Sequence, residues 1–447
     1  MKNALIKTSM LLPTLLLAAC GGGSSGGTPA ATTTPTTPIT TSTTEYLGVA
    51  AGGGHTVAIK SDGTLQAWGL NRNGQLGVSA NTDKPIPTAI VFPSSVSVSS
   101  VSAGEFHTAA LSGCTTSGCA LWTWGKNDNG RLGDATFTGK TSPTKITGDW
   151  LTVSAGGSHT AAIKKKDGSL WTWGENFNGQ LGDGTSLARS GPTAHGKLQI
   201  ADSANPTVYP ADSTVTKPFW GVVATGGAHT LAIVTGAATN ASGILYRWGL
   251  NKRGQLGLTG LGGTPSWQFP LTIKNEPYQF KAVAAGGEHS LAIRDNGELY
   301  AFGSNAFGQL GTGTADNDIA NNSSVKQVGS ESDWDVISAG GGVNPGDTVD
   351  ESLNGGHSLA IKSDGTLWVW GSNRYGQLGT GNTENISTPT KLGTDRDWVK
   401  VSAGKLHSFA WKQDKSLWGW GNNFNGQLGN GNSGDTAKNI LVPTRLP

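Results

Sequence analysis

Trp398-Val399-Lys400-Val401-Ser402 alternates apolar and polar side chains, the period of a half-buried strand. Ala403-Gly404 interrupts the alternation, and His407-Ser408-Phe409-Ala410-Trp411 predicts a second strand. Gln413-Asp414-Lys415 is a turn, and Leu417-Trp418-Gly419-Trp420 predicts a third strand. Sister copies of the turn read Asp62-Gly63 and Asp364-Gly365, a strong hairpin signal because the glycine admits positive φ. A long Gly/Asn loop follows, then a short fourth strand marked Pro-Thr. That mark recurs at Pro87-Thr88, Pro143-Thr144, Pro192-Thr193, Pro389-Thr390 and Pro443-Thr444. Proline suits an outer strand, where one missing N–H is tolerated.

The whole unit is written seven times. Its histidine is His55, His107, His159, His229, His289, His357 and His407, at spacings of 52, 52, 70, 60, 68 and 50 residues. An aromatic residue before glycine recurs as Trp68, Trp124, Trp173, Trp248, Phe302, Trp370 and Trp420. Asn-x-x-Gly-[Gln/Arg]-Leu-Gly closes each copy, from Asn71 to Asn423. A period near 50 residues marks a repeat architecture. Four antiparallel strands per repeat, with no helical segment between, predict an all-β, seven-bladed β-propeller of four-stranded antiparallel blades. No Pro-Thr strand precedes Tyr46, and none of the repeats follows the final "LVPTRLP". Residues 441–446 are therefore expected to complete the first blade, so that the C-terminal strand closes the ring and removes its open edges.

Composition agrees: 68 glycines and 16 tryptophans in 447 residues, with 14% charged, suit a turn-rich β protein. The motifs resemble the regulator of chromosome condensation repeat family. Its succession of strand, Ala-Gly, Gly-x-x-His-[Ser/Thr], Asp-Gly, Trp-Gly and Asn-x-x-Gly-Gln-Leu-Gly is met across residues 46–447. Departures are local: Phe302 stands for Trp, Arg131 for Gln and Val98 for the aromatic that opens the first strand, and repeats four and five blur the Pro-Thr strand.

Met1 to Cys20 reads as a signal peptide. Lys2 and Lys7 precede a short apolar run, Met10 to Ala19, well below the roughly 20 residues a membrane helix needs. Leu17-Ala18-Ala19-Cys20 resembles the bacterial lipobox, which implies cleavage before Cys20 and acylation of its thiol. An ordinary secretory signal is the alternative. Residues 20–44 form a Gly/Ser/Thr/Pro tether with no charge and no core-forming composition, spanning roughly 25–30 Å on average. The domains are thus expected as 1–19 signal peptide, 20–44 acylated cysteine and tether, and 45–447 propeller. The expected location is extracytoplasmic, at a bacterial membrane and most simply the outer one. Losing residues 1–19 leaves 30 basic and 30 acidic residues, with no basic patch for nucleic acid. In an oxidising envelope Cys114 and Cys119 are expected to pair. A metal site is the other reading, but no further cysteine completes one.

Seven equivalent histidines invite a metal or catalytic reading. One residue per blade at equal depth is spread around a ring, whereas zinc needs three or four ligands at about 2.0–2.1 Å. Each His is expected instead to satisfy backbone groups within its own blade. The tryptophans, including the pairs Trp122/Trp124, Trp171/Trp173, Trp368/Trp370 and Trp418/Trp420, read as packing between blades. Catalytic signatures fail. Gly22-Gly23-Ser24-Ser25-Gly26 lies in the tether without a strand before it or a helix after it. Gly429-Asn430-Gly431-Asn432-Ser433-Gly434 sits in a blade loop with no helix to receive a phosphate. Asp316, Asp318 and Asn321 offer oxygen ligands for calcium, but their loop lacks the acidic twelfth position. His195 falls outside the frame, in an insertion.

Function is expected where the repeat varies. The free positions of Asn-x-x-Gly carry Arg72, Asp128, Phe177, Lys252, Phe307, Tyr375 and Phe424, either as binding groups or as turn packing. These loops emerge on one face with the first-to-second-strand loops, of which repeat six has a swollen copy bearing Asp347, Asp350 and Glu351. The opposite face is expected to carry the Cys114–Cys119 loop, the 234–243 loop and the insertion between Pro192 and Trp220. The reading is a non-catalytic binding module on a lipid anchor. Its partner is another protein or an envelope component, with no nucleic acid, no cofactor and no metal. The chain is monomeric, and its membrane contact runs through Cys20 only. Two alternatives stand beside it: guanine-nucleotide exchange, the activity that names the family and that the resemblance implies, and an envelope lyase or hydrolase on a propeller.

Overall fold

The structure is a computed structural model that describes residues 44–446 apart from 94–95, 195–198, 202–207, 211–217, 237–242, 259–265, 274–277, 317, 319–321, 343–355 and 435–437. The described residues are organised as six β-sheets. Tyr46–Ala51, His55–Lys60, Leu65–Gly69 and Lys84–Ala89 form the first, in chain order and antiparallel. The repeats that open at Phe280, Trp334 and Trp398 build the same four-stranded sheet. Each expected strand is present, with the Asp-Gly turns between the second and third.

Two irregularities change the sheet count. Lys140–Ala155 is a single strand of 16 residues. Its first part pairs with Gly118–Gly125 and its last part with His159–Lys164, so repeats two and three share one seven-stranded sheet. Repeat four gains two strands. Gln199–Ala201 runs parallel to Ser266–Ile273 and pairs with Val208–Pro210 beyond it. The insertion after Pro192, expected on a loop face, thus widens the outer edge of a sheet.

The C-terminal strand corrects an expectation. Ile440–Arg445 pairs with Leu417–Gly421 of its own repeat, through Trp418↔Arg445 and Gly419↔Thr444. The outer place in the first sheet is already held by Lys84–Ala89, whose Thr88 faces Ala67. Each repeat supplies its own fourth strand, so residues 441–446 do not complete the first blade.

The last and first repeats nevertheless meet as every other neighbouring pair does. Trp68 and Tyr46 pack with Phe409, Leu417 and Leu446 in one core, as Trp124 packs with Val57, Leu65 and Leu76 in another. The backbone after each Ala/Thr-Gly turn repeats one bond. Gly53 N–H donates to Gly104 O, Glu105 to Gly156, Gly157 to Gly226, Gly227 to Gly286, Gly287 to Gly340, Gly341 to Gly404 and Lys405 to Gly52, all at 3.0–3.3 Å. Glu45–Lys415, at 2.8 Å, and the Tyr46 N–H to Lys415 O bond lie at the same junction.

The glycine of each Trp-Gly pair has a steric reason. Gly69 sits opposite His55 at φ 97°, and a Cβ there would lie 2.6 Å from Gly54 O and 3.0 Å from His55 Cα. Only glycine fits this backbone conformation and this spacing together.

Candidate binding face

All seven frame histidines are fully buried, yet their partners are not in their own repeats. His55 Nε2 meets Thr108 Oγ1, His107 meets Thr160, His159 Thr230, His229 Ser290, His289 Ser358, His357 Ser408 and His407 Thr56, at 2.8–3.1 Å. Each hydroxyl also donates, at 2.7–2.9 Å, to the carbonyl of the Gln or Arg that ends the preceding repeat's Asn-x-x-Gly turn. A hydroxyl has one proton, so the imidazole Nε2–H must donate to it. The expectation of partners within one blade is therefore corrected: each histidine joins its repeat to the next. The cause is the short side chain of the Ser/Thr that follows each histidine, which reaches across the seam.

This tautomer leaves Nδ1 bare, and in six of the seven rings (all but His357) that buried atom has no partner. Burial holds the pKa of His55, His159, His229, His289 and His407 down to about 3. His107 lies well below its usual value, through burial first and then the nearby Arg131. A neutral ring, fully buried and bonded through Nε2 to the next repeat's hydroxyl, is a structural group.

The tryptophans converge on the same carbonyls. Trp124 Nε1–H donates to Gln75 O, Trp173 to Arg131 O, Trp248 to Gln180 O, Trp370 to Gln309 O, Trp420 to Gln377 O and Trp68 to Gln427 O, at 2.8–3.0 Å. They are packing residues, as expected, with a polar anchor that the sequence does not announce. Phe302 has no such donor and is still fully buried. Repeat five thus shows that the ring alone sustains the frame. Trp370→Phe is expected to cost only about 1–2 kcal/mol, one net hydrogen bond plus a small volume loss. The shift in urea midpoint of the purified variant measures it.

The Asn-x-x-Gly turns and the first-to-second-strand turns do share a face: Arg131 Nη1 donates to Gly157 O, joining one kind to the other. Buried Asn71 shows how the turn is built, its Oδ1 accepting from Leu76 N–H. The two free positions are not equivalent. The first is exposed in Arg72, Asp128, Phe177, Lys252, Arg374 and Phe424. The second is half-buried, and it holds Phe307 and Tyr375. The sequence reading mixed the two positions and missed Arg374. Phe177 is 71% and Phe424 52% exposed, large values for phenylalanine.

Charges on this face are mostly committed. Asp128 pairs with Lys126 at 3.0 Å and Arg131 at 2.8 Å. Partial burial alone would raise its pKa, but these two cations hold it below the usual carboxylate value. Burial raises Glu175, which accepts from Asn129 and Gln180. Arg72 reaches Asp83 only at 3.9 Å, with its side chain 74% exposed.

Asp347, Asp350 and Glu351 lie outside the described residues, as does Cys20. Cys114 and Cys119 form a disulfide at the end of a hairpin, with S–S 2.05 Å. Asp316 Oδ1 accepts from Asp318 N–H and Asn322 Nδ2, stapling its loop, while Asn321 falls outside the described residues. Among the described residues no group of three His, Cys, Asp or Glu could hold a metal ion.

The comparisons match this architecture. The ultraviolet-B receptor UVR8 of Arabidopsis thaliana is 30% identical over 363 residues, 80% of this chain and 72% of that protein. The mitochondrial RCC1 domain-containing protein RUG3 of the same plant is 27% identical over 76% of this chain and 68% of its own. Among solved structures, Prp20p of Saccharomyces cerevisiae superposes with TM-score 0.66 at 21% identity, over 90% of this chain and 87% of its own. Human WBSCR16 gives 0.63 at 21%, over 80% and 84%. These two likenesses establish a propeller fold. The family described as the RCC1-like domain matches residues 16–351 and again 149–447, so the chain belongs to the RCC1-like domain family.

Proposed function

We propose that the chain is a non-catalytic, seven-bladed binding propeller, closed on itself and displayed at a bacterial envelope by a lipid on Cys20. Closure is supported by the bonds that return from the seventh repeat to the first, His407 to Thr56, Trp68 to Gln427 and Lys405 to Gly52. On this reading residues 1–19 are removed, 20–44 act as a tether, and 45–447 form the propeller as a monomer. The observation that carries the binding role is the contrast within each repeat. Frame residues are buried and committed, while the first free position of the turn varies in chemistry and, in six of the seven repeats, faces water. Variable, exposed loops on a rigid scaffold are where binding groups are usually placed. Related propellers bind proteins: the structure of yeast RCC1 (Prp20) was solved with Kap60, and the binding of Prp20p to Gsp1p and histones has been described. For this chain the partner is a protein or an envelope component.

The anchor has a direct test. Cells grown with a labelled fatty acid should label the wild-type protein and leave Cys20→Ser unlabelled. The wild type should then sediment with membranes and the variant should not. Equal sedimentation of both would remove the anchor from the account.

A further inference from the structure

One Ala/Thr-Gly turn from each repeat lines a cavity of about 110 Å³. Its wall is methyl groups and glycine backbone, and the N–H following each turn glycine is already spent on the next repeat. The residue in that following place is glycine in five repeats, Gly53, Gly157, Gly227, Gly287 and Gly341. In the other two it is Glu105 and Lys405. Their side chains meet at 3.0 Å, 21% and 25% exposed, although 300 residues separate them. Lys405 lies along Gly342, where a Cβ would come within 2.4 Å of its Cε. Glu105 lies along Gly53, where a Cβ would be 2.9 Å from its Cγ. Glycine neighbours thus make room for the pair. They are the two charged side chains of the described cavity lining.

We propose that this pair is the recognition element of a binding site for a small α-amino acid. A concave pocket with a few convergent polar groups is the usual form of a small-ligand site. The pair offers adjacent opposite charges, and an α-amino acid carries the same two charges on neighbouring atoms. Its ammonium meets Glu105 and its carboxylate meets Lys405, so four charges alternate around a square. Neither protein charge loses its partner, and no desolvated charge is left alone. A ligand with one charge gains one contact and meets a like charge at the other. The alanine and glycine wall accepts a short apolar side chain, and its one side-chain hydroxyl, Thr225, is already bonded to Ser154. The site is independent of the Cys20 anchor and of the exposed turn residues.

The test is calorimetric titration of the full-length protein with L-alanine, and with ethylamine and propionate as single-charge analogues. L-alanine should bind saturably, and both analogues at least about tenfold more weakly, a difference of about 1.4 kcal/mol. Glu105→Gln and Lys405→Met should each weaken L-alanine by a similar factor. The exchanged pair Glu105→Lys/Lys405→Glu should restore binding to within about threefold, and the urea midpoints of the two single variants should show that they fold. No saturable binding by the wild type, or binding unchanged in Glu105→Gln, would overturn the proposal.

Discussion

Lowering the pH from 7 to 5 is expected to strip most of the stability from this protein. Five frame histidines have folded-state pKa values near 3 and a sixth lies well below 6.5, in each case chiefly through burial. In the unfolded chain they titrate near 6.5. The folded value is depressed, so the stabilisation is whole above about pH 6.5 and is lost progressively as the pH falls toward 3. At pH 5 each such ring costs about 2 kcal/mol, from 1.36 kcal/mol per pKa unit. The five rings near 3 together reach on the order of 10 kcal/mol, comparable with the whole stability of an ordinary domain, and His107 acts in the same direction. Carboxylates with depressed pKa values, such as Asp134 and Asp183, add their loss only at lower pH. Urea midpoints measured at half-unit steps should fall steeply between pH 6.5 and 5, and unfolding at pH 5.5 should take up several protons. A flat stability profile over that range would mean that the rings are not held neutral.

The second large effect is steric. Gly104→Ala would place a Cβ 2.3 Å from Gly156 O and 2.5 Å from His107 Cε1. The Glu105 N–H to Gly156 O bond, 3.2 Å, and the His107–Thr160 bond, 2.8 Å, cannot both survive the shift. A loss of about 3–5 kcal/mol is expected, as for a strained and broken buried network. Gly191→Ala is the matched control, since a Cβ there meets nothing within 4 Å and the backbone is not left-handed. It should be neutral or stabilising by up to about 1 kcal/mol, because alanine narrows the unfolded ensemble. Thermal melts of the two variants should differ widely. Equal melts would mean that the central turns yield more freely than their spacing allows.

Most of the fold is legible in the sequence because its signals are local. Alternation in Trp398–Ser402, the Asp-Gly turns and the Trp-Gly pairs each act within a few residues of one another. What the sequence leaves hidden is phase and partnership. A periodic pattern does not say where one repeat ends, so Pro443-Thr444 fits either the last sheet or the first, and register alone assigns it to Trp418 and Gly419. Likewise the His-[Ser/Thr] pair is adjacent in sequence, yet its hydrogen bond runs 53 residues on, from His55 to Thr108. The exposed turn positions were half legible. Side chains one residue apart leave the turn in different directions, which separates Phe424 from the half-buried Tyr375. The Glu105–Lys405 pair could have been found by aligning the residue after Ala-Gly across the seven copies, where glycine is otherwise constant.

The central claim is that a buried frame carries exposed turns that bind. It is tested most directly by capture of a partner from envelope extract on the full-length protein, comparing wild type with Phe177→Ser/Phe424→Ser. Ile86→Ser, an exposed position on an outer strand, serves as control. The account predicts unchanged urea midpoints for both variants, a partner band retained by the control, and the same band lost from the double variant. A band held equally by all three proteins would contradict it.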